Sequence, residues 1–403
     1  MKFEKIGNVF LVIRNGANIK QDKVTDGYPI TRIETIADGT VDLNRVGYAS
    51  IHDESFSEFY LQENDILMSH INSVSHLGKV ALVNQIYEKV IHGMNLLCLK
   101  ADVSIINPMY SFYYFKSPIF RSKIKRITKK SVNQASFNIS NLKDIEIPLP
   151  PLPDQLHIAN LLSKAENLIA QRKESIRLLD EFLKSTFLEM FGDPVRNDKG
   201  WDVKIFGEFV ERITKGESPK WQGFDYLDSG VRFITSENVL WGSVDLQKAK
   251  FIHEDFHNKL KRSQLKENDL LVNLVGASVG RSSLCPKEAL PANINQAVAA
   301  ITLNPELINA VYVMHLFINQ SFQRLLLGNV VEAARANLSL SDLRNLKFPV
   351  PPLVLQTQFA QIVEKTEALK TQYQQSLQEL ENLYGSLSQK AFRGELGVKE
   401  SVK

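Results

Sequence analysis

Cysteine, long apolar runs and a strong charge bias are all scarce in this sequence. Only Cys98 and Cys285 occur among 403 residues, and their apolar neighbours favour buried thiols over a disulfide framework. No apolar stretch approaches the ~18 residues that cross a bilayer, so we expect a cytoplasmic chain that is neither exported nor inserted in a membrane. The formal net charge of +3 excludes little, because a large nucleic-acid-binding protein can concentrate its basic residues locally.

Recognisable motifs for nucleotide or metal chemistry are also missing. The phosphate loop G-x-x-x-x-G-K-[ST] does not occur, because Gly78-Lys79 is followed by Val80. Ser, His and Asp residues are plentiful but form no nucleophile motif. Three histidines lie loosely grouped without the paired spacing of a metal site, and these are His70, His76 and His92. We therefore expect no catalytic residue and no metal in this chain.

One short motif imitates a methyltransferase. The sequence Asn107-Pro108-Met109-Tyr110 resembles the Asn-Pro-Pro-Tyr segment with which adenine methyltransferases hold a flipped base. Its counterpart in the repeat described next, residues 309–312, lacks the proline. No glycine-rich strand-to-helix segment for S-adenosylmethionine accompanies it, and an asparagine at the start of a helix explains Asn107 without catalysis.

The chain is an internal duplication with a shift of about 200 residues. Residues 27–43 (GYPITRIETIADGTVDL) align with 230–246 (GVRFITSENVLWGSVDL), and 61–67 (LQENDIL) align with 265–271 (LKENDLL). Each half ends in the same proline-rich segment, which neither a strand ladder nor a helix interior can continue. Each half is therefore a globular unit followed by a different kind of structure.

Helical spacing follows each proline-rich segment. From Asp154 to Met190 there is no proline or glycine, and at ~1.5 Å per residue a helix of this length is roughly 55 Å long. Apolar residues at steps of three and four predict a coiled-coil seam in each copy. The predicted seam residues are Ile158, Leu161, Ala165, Leu168, Leu179 and Phe182, then Phe359, Ile362, Leu369, Tyr373, Leu380, Leu383 and Leu387. Two separate amphipathic helices, each packed on its own domain, remain the alternative.

Each globular unit has the pattern of an α+β domain. Short β-rich runs are predicted at 28–36, 65–68 and 80–83, and helices at 108–127 and 305–327. Duplicated halves most naturally pack their long helices antiparallel about a pseudo-twofold axis. The predicted divisions are a first recognition domain at 1–147, a linker and helix at 148–192, a second recognition domain at 193–349, a linker and helix at 350–392, and a tail at 393–403.

These features together resemble the specificity subunits of type I restriction-modification enzymes. Residues 140–152 (SNLKDIEIPLPPL) and 340–353 (LSDLRNLKFPVPPL) carry the resemblance most strongly, and it covers essentially the whole chain. The stretch at 72–79 departs from the usual glycine-rich form of the family, whereas 276–281 is closer to it. That departure weakens the transfer of loop roles to the first unit but not the transfer of its framework.

The resemblance implies a subunit that contributes no catalytic group. Each domain would read one half of a split, asymmetric target in double-stranded DNA. Two methyltransferase subunits would bind the long helices and methylate adenine at N6, and translocating restriction subunits would join them. S-adenosylmethionine, ATP and Mg2+ would belong to those partners.

Candidate DNA contacts lie on polar loops, because lysine and arginine neutralise phosphates and asparagine, glutamine and arginine read base edges. The acid-free segment 116–130 (KSPIFRSKIKRITKK) is either a DNA-facing surface or a solvated helix face. The candidates in the first unit are Lys20, Asn72, Ser73, Lys79, Lys129, Lys130, Asn133 and Gln134. Those in the second unit are Lys215, Lys220, Ser278, Arg281, Asn295, Gln296 and Arg335.

Two other functions stay open at this point. A DNA-modifying enzyme with its own catalytic domain would need the methyltransferase motifs that are missing here. A coiled-coil scaffold whose end domains bind protein or glycan would lack salt-dependent affinity for DNA.

Overall fold

The computed structural model describes residues 2–21, 26–37, 39–85, 89–130, 134–328 and 337–396. The chain divides into two compact units. Unit 1 comprises Met1–Lys173 with Gln375–Lys403, and unit 2 comprises Glu174–Gln374. Each unit is a mixed α+β structure, as the sequence predicts.

Unit 1 is built on a four-stranded antiparallel sheet of order β2-β8-β5-β7. Its strands are β1 (Phe3–Lys5), β2 (Phe10–Asn15), β3 (Pro29–Ile30), β4 (Gly47–Tyr48), β5 (Ile66–Ser69), β6 (Ile71–Asn72), β7 (Val80–Leu82), β8 (Leu96–Ala101), β9 (Lys129–Lys130), β10 (Ala135–Ser136) and β11 (Glu146–Pro148). Its helices are α1 (Ile6–Val9), α2 (Pro108–Lys116), α3 (Pro118–Ile127), α4 (Ile139–Lys143) and the first part of α5 (Leu152–Phe191). Strands β5 and β7 are buried along their whole length, so the sheet is covered on both faces.

Unit 2 repeats this sheet in the order β13-β19-β16-β17, beside a three-stranded sheet of order β15-β14-β18. Its strands are β12 (Val203–Ile205), β13 (Val210–Lys215), β14 (Val231–Ile234), β15 (Lys250–Ile252), β16 (Leu270–Asn273), β17 (Ser282–Leu284), β18 (Ala292–Ile294), β19 (Val298–Leu303) and β20 (Lys347–Pro349). Its helices are α6 (Glu254–Lys259), α7 (Ala310–Ile318), α8 (Gln320–Leu327), α9 (Leu340–Arg344) and the first part of α10 (Leu353–Arg393). The duplication seen in the sequence is thus a duplication of strand order.

Both units are closed by the same two-stranded pairing. Phe3 lies opposite Pro148 in the antiparallel pair of β1 and β11, and Val203 lies opposite Pro349 in the pair of β12 and β20. The first strand of each unit therefore pairs with the strand that enters the proline-rich segment. This pairing explains why the two proline-rich segments are alike.

The repeated Glu-Asn-Asp segment is a structural turn. Its asparagines, Asn64 and Asn268, have left-handed φ values of 72° and 63°, a conformation that asparagine tolerates better than most residues. The aspartates fold back onto the backbone, since Asp65 accepts from the amide of Gln62 at 2.9 Å and Asp269 accepts from the amide of Lys266 at 2.8 Å. The motif thus shapes the entry to one of the two central strands of each sheet, β5 and β16.

Three predicted elements were wrong in extent. The single helices predicted at 108–127 and 305–327 are each broken in two, at Ser117 and at Asn319, whose side chains cap the following helices. In the first unit Pro118 occupies the first turn of α3, where a proline is favoured. The strand predicted at 28–36 covers only Pro29–Ile30 and then becomes a 3-10 turn at Ile33–Ile36.

The long helices extend slightly beyond the prediction and pair within each unit. In unit 1 Lys173 of α5 pairs with Glu381 of α10 at 2.8 Å, and in unit 2 Asp180 pairs with Lys370 at 2.6 Å. Phe187 of α5 also packs against Phe359 of α10 in unit 2. In unit 2 the partners on α10 run from Lys370 back to Phe359 as α5 runs from Asp180 to Phe187, so the paired segments of unit 2 are antiparallel.

The residues predicted to form the buried coiled-coil seam are only partly confirmed. Leu168 is 49% exposed and Phe182 is 51% exposed, whereas the buried positions on α5 include Leu162 and Leu183. On α10 the predicted seam residues Leu369 and Leu383 are exposed, at 37% and 49%. Burial follows the face that packs on the globular domains near each helix end, which shifts the apolar stripe away from a continuous heptad seam.

Each helix start is tied to its domain by a buried glutamine. Gln155 accepts from the amide of Asn107 at 2.8 Å and donates to the carbonyl of Pro150 at 2.8 Å. Gln356 makes the equivalent bonds at the start of α10. It accepts from the amide of Asn309 at 2.9 Å and donates to the carbonyl of Pro351 at 2.7 Å. Within the described part of the chain, no helix is apolar over enough of its length to cross a membrane.

Candidate nucleic-acid interface

The candidate interface lies at one end of the four-stranded sheet, which we call the loop end. In unit 2 β13 finishes at the loop end, and Lys215 lies opposite Ala299 near the start of β19. Strand β16 also finishes there, with Asn273 opposite Val298. The loops that leave and enter these strands are therefore neighbours, as are those of β2, β5, β7 and β8 in unit 1.

A close backbone approach at the loop end requires glycine. A Cβ on Gly16 would lie 2.2 Å from the carbonyl oxygen of His92, and one on Gly216 would lie 1.6 Å from that of Ile294. Any side chain would separate the two loops at this point. The glycine shared by both repeats thus holds the first and last loops of each cluster together.

In unit 1 the predicted residues gather around a small second sheet of order β6-β10-β9. Asn72 lies opposite Ala135, which in turn lies opposite Lys130. Lys129 and Lys130 are exposed, as are Lys20, Ser73 and Gln134, whereas Asn72 and Lys79 are half-buried. Asn133 lies outside the described residues. The structure therefore brings amide, hydroxyl and ammonium groups together at the loop end of unit 1.

In unit 2 the predicted residues flank the same strand ends. Asn295 and Gln296 precede β19, and Ser278 and Arg281 precede β17; all four are half-buried. Lys215 and Lys220 are exposed. The bridge between Val275 and Asn337 matches the pairing of β6 with β10 in unit 1, and Arg335 lies outside the described residues.

Local hydrogen bonds restrict what two of these residues can offer. Asn295 uses its side-chain oxygen to accept from the amide of Ala297 at 3.1 Å, which leaves its amino group as a donor. Asn72 accepts from the amide of Ser73 at 2.7 Å, so its amino group is likewise the available donor. A donor of this kind suits an acceptor on a base edge, such as guanine O6 or N7.

The DNA-contact candidates predicted from the sequence do not include two exposed basic residues of unit 1. Helix α3 buries Phe120 and Ile124, and its opposite face exposes Lys125 and Arg126, which lead directly into β9. The signal was present in the acid-free segment, and the amphipathic spacing around Phe120 and Ile124 would have separated the exposed cations from the buried positions.

Two histidines of unit 1, His70 and His92, are buried in its structure. Burial lowers the pKa of His70 to about 4, and burial also lowers the pKa of His92 to about 4 despite a hydrogen bond to the carbonyl of Leu96. Both rings are therefore neutral near pH 7. Among the described residues, no group of three or more His, Cys, Asp or Glu side chains is placed to hold a metal ion.

The methyltransferase-like tetrapeptide is also structural. Asn107 caps α2 by accepting from the amide of Tyr110 at 3.0 Å, and the buried hydroxyl of Tyr110 donates to the carbonyl of Pro148 at 2.8 Å. In unit 2 Tyr312 makes the same 2.8 Å bond to Pro349. A framework bond present in both units accounts for the tyrosine without base binding.

The family described as type I restriction modification DNA specificity domain matches two parts of the chain, residues 1–178 and 198–382. The chain belongs to this family. The resemblance seen in the sequence is therefore confirmed, and the two matches of this type I specificity subunit correspond to its two repeated units.

This specificity subunit has relatives along nearly its whole length. It is 30% identical to the type I restriction enzyme MjaX specificity subunit of Methanocaldococcus jannaschii, over 98% of this chain and 93% of that protein. It is 26% identical to the EcoBI specificity subunit of Escherichia coli, over 95% of this chain and 84% of that protein.

Solved structures support the fold of this specificity subunit. The crystal structure of the type I restriction-modification S subunit from M. genitalium has a TM-score of 0.62 and 17% identity, with 97% of this chain and 96% of that chain covered. A chain from a structure addressing complex assembly and conformational transition of the type I system has a TM-score of 0.56 and 18% identity, with 98% of each chain covered.

Proposed function

We propose that this specificity subunit recognises a split, asymmetric sequence in double-stranded DNA, with one half-site read by each unit. It directs adenine-N6 methylation and restriction by partner subunits and contributes no catalytic group itself. In this proposal two methyltransferase subunits and the restriction subunits assemble on this chain. The complex acts in the cytoplasm, where the DNA is.

The observation that carries the proposal is the repeated loop end. Two copies of one framework in a single chain present different side chains at equivalent positions, for example Asn72 and Ser73 of unit 1 against Gly276 and Ala277 of unit 2. Identical frameworks with different loops suit two different half-sites. A symmetric dimer of one domain would instead favour a palindromic target.

The proposed contacts divide by chemistry. Lys20, Lys129, Lys130, Lys215 and Lys220 are exposed cations suited to phosphates, which position a protein on the duplex. The half-buried residues Asn72, Lys79, Ser278, Arg281, Asn295 and Gln296, with the exposed Ser73 and Gln134, are candidates for base edges. By the family resemblance, S-adenosylmethionine, ATP and Mg2+ are assigned to the partner subunits.

Co-expression with the neighbouring methyltransferase gene tests the proposal. Genomic N6-methyladenine is mapped by single-molecule sequencing with and without this chain. We expect one split motif that is present only when both proteins are present. A methylated motif that does not depend on this chain would contradict the proposed role.

Purification of the same pair separates this role from a scaffold role. A stable complex that binds duplex DNA less tightly as salt rises supports DNA recognition, because phosphate contacts release counterions. A complex without salt-dependent DNA affinity would favour the coiled-coil scaffold.

A further inference from the structure

Trp221 is the most exposed tryptophan among the described residues. Its side chain is 70% exposed, compared with 51% for Trp241, and Trp201 is half-buried with its indole N–H donating to the carbonyl of Phe191. Tryptophan has a large apolar surface whose burial is strongly favourable, and it is over-represented at the energetic centres of interfaces. An indole held outward on an ordered turn is therefore suited to contact another molecule.

The turn that carries Trp221 is held by its own hydrogen bonds. The amide of Trp221 donates to the carbonyl of Ser218 at 3.1 Å, and the amide of Phe224 donates to the carbonyl of Pro219 at 3.0 Å. Gly223 closes the turn with a left-handed φ of 78°. Pro219 is buried, so the turn is anchored while the side chain of Trp221 stays outside.

Side chains on both sides of the turn reinforce it. Gln222 donates to the carboxylate of Glu217 at 2.8 Å, and Glu217 also pairs with Arg262. The nearby negative charge is therefore neutralised within the protein. A contact made by Trp221 needs little reordering of the backbone, which lowers the entropic cost of binding.

This turn starts at the loop end of unit 2. Strand β13 ends at Lys215, and the next amide, that of Gly216, donates to the carbonyl of Asn295 at 3.1 Å. Lys215 and Lys220 are both exposed. Lys215 precedes Glu217 in the chain, and Lys220 is the residue directly before Trp221. An exposed indole that follows two exposed lysines in the chain matches a polyanion that also has flat apolar faces, which is the chemistry of nucleic acid.

Unit 1 has no aromatic residue at the equivalent position. The residue that aligns with Trp221 is Gln21, and its side-chain oxygen accepts from Arg32 at 2.7 Å. Gln21 is half-buried and serves the interior of unit 1. The exposed indole is therefore a property of the second unit alone rather than of the shared framework.

We propose that Trp221 stacks on a base at the edge of the second half-site, where Lys215 and Lys220 hold the flanking phosphates. The inference rests on the DNA-recognition role proposed above. It assigns to unit 2 an aromatic wedge at the position where unit 1 has the half-buried amide of Gln21. Insertion of such a side chain at a base step unstacks that step locally.

The test uses the full chain in complex with its methyltransferase and a duplex that carries the mapped motif. Affinities are measured for wild type, Trp221→Ala and Trp221→Phe. The matched control is Leu307→Ala, since Leu307 is 49% exposed and follows β19 at the end of the sheet opposite the loop end. We expect a loss of about tenfold to a hundredfold for Trp221→Ala, a loss of only a few fold for Trp221→Phe, and no change for Leu307→Ala.

A fluorescent base distinguishes stacking from a general surface effect. With 2-aminopurine scanned through the second half-site, we expect wild type and Trp221→Phe to change the fluorescence at one position and Trp221→Ala to lose that change. Wild-type affinity of Trp221→Ala would overturn the wedge while leaving the DNA role intact. Loss of the methyltransferase from the complex, with DNA affinity retained, would overturn it in favour of a protein contact. No salt-dependent binding by wild type would instead overturn the proposed function.

Discussion

The two units share a buried framework and differ at the surface that we assign to DNA. Tyr110 and Tyr312 make the same 2.8 Å hydrogen bond to the proline-rich segment, and Gln155 and Gln356 tie the same helix starts. Such contacts are buried in both units, so changing one partner would leave a polar group unpaired. The exposed loops carry no such constraint, which allows one framework to support two recognition surfaces.

The clearest surface difference is the charge of the equivalent helices α3 and α8. Helix α3 exposes Arg121, Lys125 and Arg126, whereas the matching helix α8 carries Arg324 as its one basic residue. In unit 1 the ion pair near this stretch is made by Lys116 with Glu166. Under the proposed function the exposed cations of α3 and β9 contact phosphates, so we expect unit 1 to supply more of the sequence-independent affinity.

A second difference lies beside the long helices. In unit 1 Tyr113 donates to Glu166 at 3.1 Å, and Lys116 pairs with the same carboxylate. In unit 2 the residue aligned with Tyr113 is His315, and it borders a cavity of about 840 Å3 that Trp241 and Met314 also line. Equivalent faces of the two units are therefore filled differently, which shows that the repeat is conserved in topology more strictly than in side-chain packing.

The largest expected effect is on the salt dependence of DNA binding. Replacing Lys125, Arg126, Lys129 and Lys130 with alanine should weaken binding on the order of a hundredfold and reduce the slope of log affinity against log salt by roughly 3 to 4. The matched change in unit 2, Arg324→Ala, should reduce the slope by at most about one. Titrations at several salt concentrations, with thermal unfolding as the control for folding, measure both. If both variants reduced the slope of log affinity against log salt equally, unit 1 would not supply more of the phosphate contacts than unit 2.

An intermediate effect is expected on stability at the repeated aspartate. Asp269 accepts from Arg212 at 2.5 Å and from Thr302 at 2.6 Å, whereas Asp65 is 3.6 Å from Lys100 and burial raises its pKa. Asp269→Asn leaves a half-buried guanidinium without its carboxylate, and we expect a loss of about 2 to 3 kcal/mol in the free energy of unfolding.

The matched variant Asp65→Asn should cost less than about 1 kcal/mol, because burial already disfavours the charged form of Asp65 and Lys100 keeps another acceptor, the side-chain oxygen of Gln62 at 2.8 Å. Hydrogen exchange of each unit, analysed separately, gives the two free energies. A larger loss in the free energy of unfolding for Asp65→Asn than for Asp269→Asn would contradict the expectation that the Asp269–Arg212 pair is the stronger one.

The smallest expected effect is a difference in acid sensitivity. Because burial lowers the folded-state pKa of His70 and His92 to about 4, below the ordinary value near 6.5, their stabilising contribution is present above about pH 6.5 and is lost as pH falls towards 4. Unit 1 should lose about 1 kcal/mol per histidine between pH 8 and pH 6. Unit 2 has Leu274 and Ile294 at the equivalent positions and retains one half-buried ring of lowered pKa, His315.

The matched substitutions His70→Leu and His92→Ile give unit 1 the residues of unit 2 at those positions. They should remove most of the pH dependence of hydrogen exchange in unit 1 and leave that of unit 2 unchanged. A pH dependence that survives both substitutions would assign acid sensitivity to other groups.

The repeat allowed the framework to be predicted from sequence, because a duplicated pattern must be satisfied by two copies of one topology. Periodicity alone could not assign the buried face of the long helices. Leu161 and Leu162 both fit a helical stripe, and contact with the first domain buries Leu162. The 3-10 turn at Ile33–Ile36 was missed for a similar reason, since its apolar residues also fit a strand.

The sequence predicts candidate residues that the structure brings to the loop end, but it does not predict the exposure of Trp221. Loop residues such as Lys79 and Arg281 follow from the repeat alignment, whereas Trp221 has an apolar side chain that a sequence rule assigns to the core. Its exposure depends on the turn that Pro219 anchors and Gly223 closes. Such backbone geometry becomes visible only when the chain is folded.

The most direct test of the account is to map methylated motifs for variants of the two equivalent loops. One variant carries Asn72→Ala with Ser73→Ala in unit 1, and the other carries Ser278→Ala with Arg281→Ala in unit 2. Each is expressed with the methyltransferase, and N6-methyladenine is mapped across the genome. We predict that each variant relaxes the sequence in one half of the split motif, a different half for each variant, and leaves the other half unchanged. Relaxation of the same half by both variants, or of both halves by either one, would contradict recognition of one half-site by each unit.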